Sequence, residues 1–406
     1  METFRRLSTV SADKISVNLA VFTIAETGVL YACGLNNYGQ LGLGDNLHRS
    51  KLTRVPVEES VKTVVNGIDS TFFIMVSGAL YACGNNRYGQ LGLGDSIDRS
   101  TLQRVPLEES TKTVVTRGYS TFVLTISGVL YACGNNLYGQ LGIGDNSDWS
   151  TLIRVSLEER VKTVVTGGSF TYVLAVSGTV YSCGLNGYGQ LGFADYQNRP
   201  ILQRVPLEES AKMVVTSNNS IFVITRSGAL YACGLNSYGQ LGLGDLSHRS
   251  TLTVVPVEER VKTVITVNTS TFVLTFSGAL YTCGLNSSGQ LGLGDNQNRS
   301  TLRKVSLEQS VKTIITDNYS TFVLGVSGTL YACGYNYYGQ LGLGDIQNRS
   351  TLTRVPLEES VTTVETDGHS TLVITVNGAL YACGYNGCSQ LGLGDSENRS
   401  TLTKML

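Results

Sequence analysis

Paired carboxylates are the residues of this 406-residue chain that could most directly carry out chemistry. Glu58-Glu59 recurs as Glu-Glu in most copies of a repeated segment, with Glu308-Gln309 as the variant. Two carboxyl groups are the usual machinery of glycoside hydrolysis, one as acid and the other as base or nucleophile. An active site should break the symmetry of a repeat, whereas these pairs stand at equivalent connections along the chain. We therefore interpret these glutamate pairs as solvent-exposed residues on the rim of the repeated structure.

Other residue types that catalyse reactions are sparse or repeated in the same way. The chain has three histidines, of which His48 and His248 share one repeat position and are interpreted as surface loop residues, while His369 is separate. No Ser-His-Asp or Cys-His arrangement is indicated. The segment Gly-Gln-Leu-Gly-Leu-Gly-Asp lacks the Gly-Lys-Ser/Thr ending of a phosphate loop, and no helical pattern follows it. The sequence therefore predicts no catalytic residue, no cofactor and a protein that is not an enzyme.

Nine cysteines raise the question of a metal site or a disulfide framework. Eight of them occupy one repeat position: Cys33, Cys83, Cys133, Cys183, Cys233, Cys283, Cys333 and Cys383. One cysteine per repeat on an apolar strand is typical of a small buried hydrophobic residue. Because no Cys-x-x-Cys pair occurs, we expect no zinc site. Cys388 replaces the tyrosine found at 38, 88 and 138. Two explanations of this substitution stay open, a reactive thiol and neutral drift, and drift is favoured.

Charge and hydropathy exclude several classes of function. The net charge is −1, from 30 basic and 31 acidic residues, so the basic surplus of a nucleic-acid-binding protein is absent. No apolar run reaches the roughly 18 residues of a membrane span. The sequence Met-Glu-Thr-Phe-Arg-Arg at the start is not followed by the apolar core of a signal peptide. We expect a soluble intracellular protein, cytoplasmic or nuclear, and a monomer.

The chain is organised by an internal repeat. The motif Tyr-x-Cys-Gly begins at positions 31, 81, 131, 181, 231, 281, 331 and 381, which is a period of 50 residues. A period in the range of roughly 20–50 residues indicates a solenoid, a propeller or another array. We predict a single domain of eight units, namely 1–50, 51–100, 101–150, 151–200, 201–250, 251–300, 301–350 and 351–400, followed by a closing strand at 401–406.

Each unit has the pattern of short strands rather than helices. In unit 101–150, apolar and β-branched segments predict strands at 101–107, 111–115, 121–126 and 129–133. Ser127-Gly128 predicts a hairpin turn between the last two, and the last unit places Asn377-Gly378 at the same point. Apolar residues lie on both faces of these strands, as expected where sheets pack on each side. Four-stranded sheets repeated in this way predict an all-β propeller.

The ends of the chain indicate how the propeller closes. Residues 401–406 match the first segment of a unit, whereas residues 1–20 match the units poorly. We therefore predict a single closed propeller whose two ends are joined in one blade, which removes exposed sheet edges. The motif count favours eight blades, with seven as the alternative.

The repeat resembles a known family. Leu-Tyr-Ala-Cys-Gly-Leu-Asn-Ser-Tyr-Gly-Gln-Leu-Gly-Leu-Gly-Asp at 230–245 is similar to the repeat of the regulator-of-chromosome-condensation family, with its Gly-x-Asn-x-x-Gly-Gln-Leu-Gly-x-Gly pattern. The resemblance covers essentially the whole chain and implies a propeller. Three features depart from the family: the count of eight, cysteine where tryptophan often precedes the motif glycine, and a Gly-x-x-His-Ser/Thr loop kept only in part, at Asp367-Gly368-His369-Ser370.

The resemblance implies binding functions rather than one activity. Family members include an exchange factor for the GTPase Ran that docks on nucleosomes, and targeting domains of ubiquitin ligases and kinases. The exchange factor uses an inserted β-hairpin wedge, whereas every unit of this chain has 50 residues. We expect a non-catalytic protein–protein interaction scaffold, with guanine-nucleotide exchange on a small Ran-like GTPase as the alternative. The expected partner is a protein, such as a small GTPase or a ubiquitin-pathway protein.

Comparison of the units with each other separates framework from variable positions. Asn36, Gln40 and the glycines around them recur almost everywhere, which predicts a clasp between blades, and Asp45 and Arg49 recur as a predicted turn with a surface ion pair. The units differ most in the loop at 66–70 and at the position of Asn37. Variable loops on a fixed framework are typical of a surface that binds a partner, although drift after duplication explains them equally well.

Candidate contact residues follow from this comparison, because tyrosine, tryptophan and arginine are enriched at interface hot spots. Trp149 replaces the recurring arginine in one unit. Its side chain is interpreted either as a contact for a partner or as ordinary packing over a loop. The predicted contacts are Arg87, Arg117, Tyr119, Trp149, Tyr319, Tyr335, Tyr337 and His369.

Overall fold

The computed structural model of the protein describes residues 4–5, 20–25 and 29–405, except 318 and 388. The open question of Cys388 therefore lies outside the described residues. All regular structure in the described part of the chain is β-strand. None of the described residues belongs to a helix that could span a membrane.

The strands follow one another with the period of the repeat. The first four sheets contain β1 (Phe4–Arg5), β2 (Ala20–Ala25), β3 (Leu30–Gly34) and β4 (Arg49–Arg54); β5 (Val61–Asn66), β6 (Ser70–Met75), β7 (Leu80–Gly84) and β8 (Arg99–Arg104); β9 (Thr111–Arg117), β10 (Ser120–Thr125), β11 (Leu130–Gly134) and β12 (Trp149–Arg154); and β13 (Val161–Thr166), β14 (Phe170–Ala175), β15 (Val180–Gly184) and β16 (Arg199–Arg204). The last four contain β17 (Ala211–Ser217), β18 (Ser220–Thr225), β19 (Leu230–Gly234) and β20 (Arg249–Val254); β21 (Val261–Val267), β22 (Ser270–Thr275), β23 (Leu280–Gly284) and β24 (Arg299–Lys304); β25 (Val311–Thr316), β26 (Ser320–Gly325), β27 (Leu330–Gly334) and β28 (Arg349–Arg354); and β29 (Val361–Thr366), β30 (Ser370–Thr375), β31 (Leu380–Gly384) and β32 (Arg399–Lys404).

These strands form eight four-stranded sheets, here called blades 1 to 8, in which consecutive strands are neighbours. The fold is an eight-bladed β-propeller. The predicted all-β class, the four strands per blade and the count of eight are confirmed, and the alternative of seven blades is wrong.

Burial on both faces of a blade explains the apolar runs of the sequence. All six residues of β10 are buried. Phe122 and Leu124 of this strand belong to one apolar cluster with Val161, Val164 and Val173 of blade 4. Val123 of the same strand lies in a second apolar cluster with Phe72 and Ile74 of blade 2. Because a neighbouring blade covers each face of the strand, alternation of apolar and polar residues is not required.

The predicted hairpin turn is also present. Gly128 N donates to Thr125 O at 3.1 Å, and β10 pairs with β11 so that Leu124 stands opposite Leu130. The turn therefore sets the register in which the two most buried strands of the blade meet.

The boundaries of the blades do not coincide with those of the sequence units. Residues 101–107, predicted as the first strand of unit 101–150, belong largely to β8, which pairs with β7 so that Tyr81 stands opposite Arg104. The first strand predicted for a unit is therefore the fourth strand of the preceding blade. The return loop at 85–98 is long enough to bring the chain back beside the strand it has just left.

The same arrangement makes the predicted joining of the chain ends wrong. β32 pairs with β31 in the eighth sheet, with Tyr381 opposite Lys404, while β1 pairs with β2 in the first sheet, with Phe4 opposite Ala25. Each return loop supplies the fourth strand of its own blade, so the last residues complete blade 8 and are not free to serve the first blade.

Antiparallel order gives each blade two ends with different connections. One end, called the loop end, carries the connection between the first and second strands and the long return between the third and fourth. The other, called the turn end, carries the hairpin turn and the passage to the next blade. Both variable regions of the sequence lie at the loop end.

Candidate protein-binding surface

The return loop at the loop end is held by its own side chains. In blade 2, buried Asn86 donates through Nδ2 to Asp95 O at 2.9 Å and accepts from Leu91 N at 2.9 Å. Gln90 Oε1 accepts from Tyr88 N at 2.9 Å. These amides satisfy backbone groups that no strand partner reaches, which is what buried polar groups require.

The same loop also holds successive blades together. The Cys133 thiol of blade 3 donates to Gln90 O at 3.5 Å, and Gly94 N donates to Ser150 O at 2.8 Å. A Cβ on Gly89 would lie 2.3 Å from the Cα of Ser150, so the two backbones meet closely there. The predicted clasp between blades is confirmed.

The recurring Asp and Arg form the predicted turn and ion pair. In blade 2 the Arg99 guanidinium lies 2.5 Å from the Asp95 carboxylate. In blade 4 the hydrogen bond from Arg199 lowers the pKa of Asp195 to about 2. Because both side chains of each pair are partly exposed, solvent screens the interaction and it adds little to the stability of the protein.

Trp149 takes the place of the arginine in blade 3. Its Nε1 donates to Asp145 Oδ2 at 3.2 Å, and its half-buried ring packs against the apolar cluster between blades 3 and 4. It therefore keeps the hydrogen bond to the turn that arginine makes elsewhere. The structure places Trp149 at the start of β12, apart from the aromatic clusters described next.

Two predicted contacts meet between blades 2 and 3. The rings of Tyr88 and Tyr119 have their centroids 4.8 Å apart, and the Arg87 guanidinium lies 5.9 Å from the centroid of Tyr88. Burial raises the pKa of Tyr119, and the neighbouring Asp69 carboxylate raises it further. We call Asp69, Arg87, Tyr88 and Tyr119 the blade 2–3 cluster. Arg117 lies on the same loop but donates to Thr166 O of blade 4 at 3.4 Å.

A larger aromatic group lies between blades 7 and 8. It consists of Tyr335, Tyr337, Tyr338, His369 and Tyr385, which we call the blade 7–8 cluster. The Tyr338 ring is central, with centroid distances of 5.1 Å to Tyr337, 5.1 Å to His369 and 5.2 Å to Tyr385. Tyr335 stacks on Tyr337 at 6.4 Å, and the Tyr337 side chain is 63% exposed. Aromatic rings held in this way can pack against apolar groups and attract cations.

A buried carboxylate fixes the loop that carries Tyr319. Asp317 Oδ1 accepts from the backbone N–H groups of Tyr319 and Ser320 at 3.1 and 3.2 Å, and Oδ2 accepts from Thr366 Oγ1 of blade 8 at 3.1 Å. Burial raises the pKa of Asp317, and the two backbone donors oppose that change. Tyr319 O accepts from Tyr335 N at 2.9 Å, so exposed Tyr319 adjoins the backbone of the blade 7–8 cluster.

Sequence comparison missed the tyrosines that link the predicted contacts. Tyr88 and Tyr338 occupy the recurring position of Tyr38 and Tyr138, which was not among the predicted contacts, and Tyr385 stands at a position mostly held by leucine or asparagine. The available signal was adjacency, because each recurring tyrosine directly follows the variable position. Every residue at that variable position is exposed, namely Asn37, Arg87, Leu137, Gly187, Ser237, Ser287, Tyr337 and Gly387.

Eight four-stranded blades with a fixed return loop and variable residues at the loop end define a β-propeller of repeats. The family model described as the RCC1-like domain matches residues 107–406, and the model of the regulator of chromosome condensation (RCC1) repeat matches 27–74 and 77–117. The chain belongs to the RCC1 repeat family, as the sequence motif indicated.

Solved structures agree at the level of fold. Human WBSCR16 is 20% identical and superposes with a TM-score of 0.61, covering 83% of this chain and 96% of its own. Prp20p from Saccharomyces cerevisiae, whose binding to Gsp1p and histones was studied with its structure, is 18% identical with a TM-score of 0.61, covering 87% and 90%. Yeast RCC1 (Prp20) with Kap60 bound is 16% identical with a TM-score of 0.60, covering 88% and 91%. Comparison with curated protein sequences finds no match.

Proposed function

We propose that the protein is a non-catalytic scaffold that binds a protein partner through the loop ends of its blades. The observation that carries this proposal is the blade 7–8 cluster, in which exposed Tyr337 occupies one of the two places where the units differ most. A tyrosine offers a large apolar area, a hydroxyl group and few rotatable bonds, which is why it is common at binding hot spots.

The rigidity of the loops supports the same proposal. The clasp at Gly89 and Ser150 and the amide bonds of Asn86 are repeated in other blades, so the variable residues stand on a backbone that is already fixed. A preorganised surface loses less conformational entropy when a partner binds. More of the free energy gained by burying the aromatic side chains against a partner therefore remains as binding affinity.

Affinity capture followed by mass spectrometry tests the proposal. The protein and its Tyr335→Ala/Tyr337→Ala variant are compared as baits, and the affinity of each captured partner is then measured by calorimetry. We expect partners that bind the protein to be lost from the variant, because truncation of a hot-spot residue costs about 2 kcal/mol or more.

The matched control is Tyr196→Ala. Tyr196 is 56% exposed in the return loop of blade 4 and belongs to neither aromatic cluster. It should leave binding unchanged. A partner that binds the double variant and the control with equal affinity would contradict the proposal.

The second candidate is guanine-nucleotide exchange on a small Ran-like GTPase. It is supported by membership of the RCC1 repeat family and by the fold shared with Prp20p, whose structure was studied together with its binding to Gsp1p. The uniform 50-residue units argue against it, because they leave no inserted hairpin to act as a wedge. Fold alone does not establish activity.

Release of a fluorescent guanine nucleotide from a loaded Ran-like GTPase separates the two candidates. A scaffold binds without raising the release rate, whereas catalysed release would favour exchange.

A ubiquitin-pathway protein is a further class of partner, which the affinity capture described above would detect. An intracellular location and a monomeric state stay predictions, for which imaging of a tagged chain and sedimentation are the measurements.

A further inference from the structure

The blade 2–3 cluster shows how a loop end of this chain holds a cation. The Arg87 guanidinium lies 5.9 Å from the centroid of the Tyr88 ring, and the Tyr119 ring packs on Tyr88 at 4.8 Å. Burial and next the Asp69 carboxylate raise the pKa of Tyr119, whereas the Arg87 charge lowers it, so these groups lie within reach of one another. One guanidinium, two rings and one carboxylate therefore form a single group.

The blade 7–8 cluster has the corresponding aromatic residues without the cation. Tyr338 occupies the repeat position of Tyr88, and Tyr337 occupies that of Arg87. Tyr337 is 63% exposed, and its ring meets the Tyr338 ring at a centroid distance of 5.1 Å with the two planes at 90°. The position that holds a guanidinium in blade 2 thus holds a further ring in blade 7. The blade 7–8 cluster therefore offers more aromatic surface and supplies no arginine of its own.

The loops around the blade 7–8 cluster carry an excess of negative charge. With histidine counted as neutral at pH 7, no positive charge stands in the segments 317–319, 335–348, 367–369 and 385–398. The arginines that follow the two return loops, Arg349 and Arg399, are each paired with an aspartate of their own loop. The carboxylates of these segments that belong to no ion pair among the described residues are those of Asp317, Asp367 and Glu397.

Asp367 is joined to the aromatic rings through its own loop. Its Oδ1 accepts from His369 N at 2.9 Å, and the His369 ring meets the Tyr338 ring at 5.1 Å. Gln340 Nε2 donates to Gly368 O at 3.0 Å, which fastens this loop to the return loop of blade 7. The hydrogen bonds of Asp367 within the described part of the chain all use Oδ1. Oδ2 of this half-buried carboxylate is therefore open to a donor from a partner.

A guanidinium suits both parts of this site. It is planar, it stacks on the face of an aromatic ring, and its N–H groups match a carboxylate. The ammonium group of lysine is compact and more strongly hydrated, so it gains less from an aromatic face. The chain itself places arginine against the equivalent ring in blade 2.

We propose that the blade 7–8 cluster binds an arginine side chain in a basic segment of the partner. This inference rests on the proposed function and names the chemistry that the partner presents. The guanidinium packs against the exposed ring of Tyr337, and Asp367 Oδ2 accepts a hydrogen bond from the same segment.

Fluorescence anisotropy with defined peptides tests the inference. The probe is a labelled synthetic peptide in which single arginines are separated by glycine and serine, and we expect it to bind with an affinity that falls as salt is added. A matched peptide with citrulline in place of arginine keeps the planar group and loses the charge, so it should bind about tenfold more weakly. A lysine peptide should fall between the two.

Two variants of the protein test the two parts of the site. Tyr337→Leu keeps an exposed apolar side chain and removes the ring, and it should weaken binding of the arginine peptide about tenfold. Asp367→Asn keeps the acceptor for His369 N and removes the charge, and it should weaken binding about threefold. The controls are Tyr196→Leu, at a 56% exposed tyrosine of blade 4, and Glu308→Gln, at an exposed carboxylate of a turn end. Both should bind the peptide as the unaltered protein does.

The inference is overturned if the arginine peptide does not bind, if the citrulline or the lysine peptide binds as tightly, or if Tyr337→Leu or Asp367→Asn binds like the controls. Failure of the proposed function is a different result, namely captured partners that keep their affinity for Tyr335→Ala/Tyr337→Ala. A partner that is lost from this double variant while the arginine peptide fails to bind would overturn the present inference alone.

Discussion

The contact between Gly89 and Ser150 allows a sharp prediction about how the blades are held together. We expect Gly89→Ala to destabilise the protein strongly. The glycine has a φ of +76°, and an added Cβ would lie 2.3 Å from the Cα of Ser150 and 2.8 Å from its backbone N. These are backbone atoms of the next blade, which cannot rotate out of the way as a side chain could.

Two costs combine in this variant. An alanine held at positive φ costs about 1–2 kcal/mol. Forcing a methyl group into a packed interior costs about 1–3 kcal/mol more. The free energy of unfolding should therefore fall by about 2–5 kcal/mol.

Gly94→Ala in the same loop is the control that separates the two costs. Gly94 also has a positive φ, +93°, but its added Cβ would meet only the Thr151 methyl group, at 3.8 Å. It should lose only the conformational part, about 1–2 kcal/mol. Urea unfolding of both variants gives the comparison through the midpoint and the slope. Equal losses in the two variants would refute the close approach of the blades.

Three further predictions concern single groups. Asn136→Ala leaves the buried Leu141 N–H without its acceptor, so urea unfolding should show a loss of about 1–3 kcal/mol. Burial raises the pKa of the Cys133 thiol, so mass spectrometry after brief treatment with a thiol reagent should find Cys133 unmodified until the protein is unfolded. Burial also raises the pKa of Asp317 above its unfolded value, so its charged form is disfavoured in the folded state. The contribution of Asp317 to the free energy of unfolding is therefore most favourable below its unfolded-state pKa and declines as pH rises through its folded-state pKa. The stability of the protein relative to Asp317→Asn should accordingly fall from acid to neutral pH.

The sequence predicted the fold because its signals are local. Continuous apolar strands, the Ser127-Gly128 turn and the period itself are all readable without knowing which strands pair. The grouping of strands into blades was not readable, because a strictly periodic chain can be divided at any point of its period. The pairing of Tyr81 with Arg104 depends on the path of the return loop, and this is why the predicted ends of the units and of the propeller were misplaced.

The candidate surface was predicted in outline but not in its contacts. Variation between units identified Arg87, Tyr119 and Tyr337, which the structure places at loop ends. It could not identify Tyr338, since a residue that recurs looks like framework even when its ring joins two blades. Asp317 was also missed, because its burial arises from contact with Thr366 of the following blade, and the sequence around Asp317 does not indicate that contact.

The return loops of blades 1, 2, 3, 5, 6 and 7 bond to residues of the following repeat, as Gly94 does to Ser150 and Gly294 does to Ser350. Excising the fifty residues between two of these junctions would therefore bring together two halves of a junction with the same backbone donors and acceptors as the junction that was lost. Unequal recombination within the gene thus yields chains with one blade more or fewer whose new seam needs no compensating mutation.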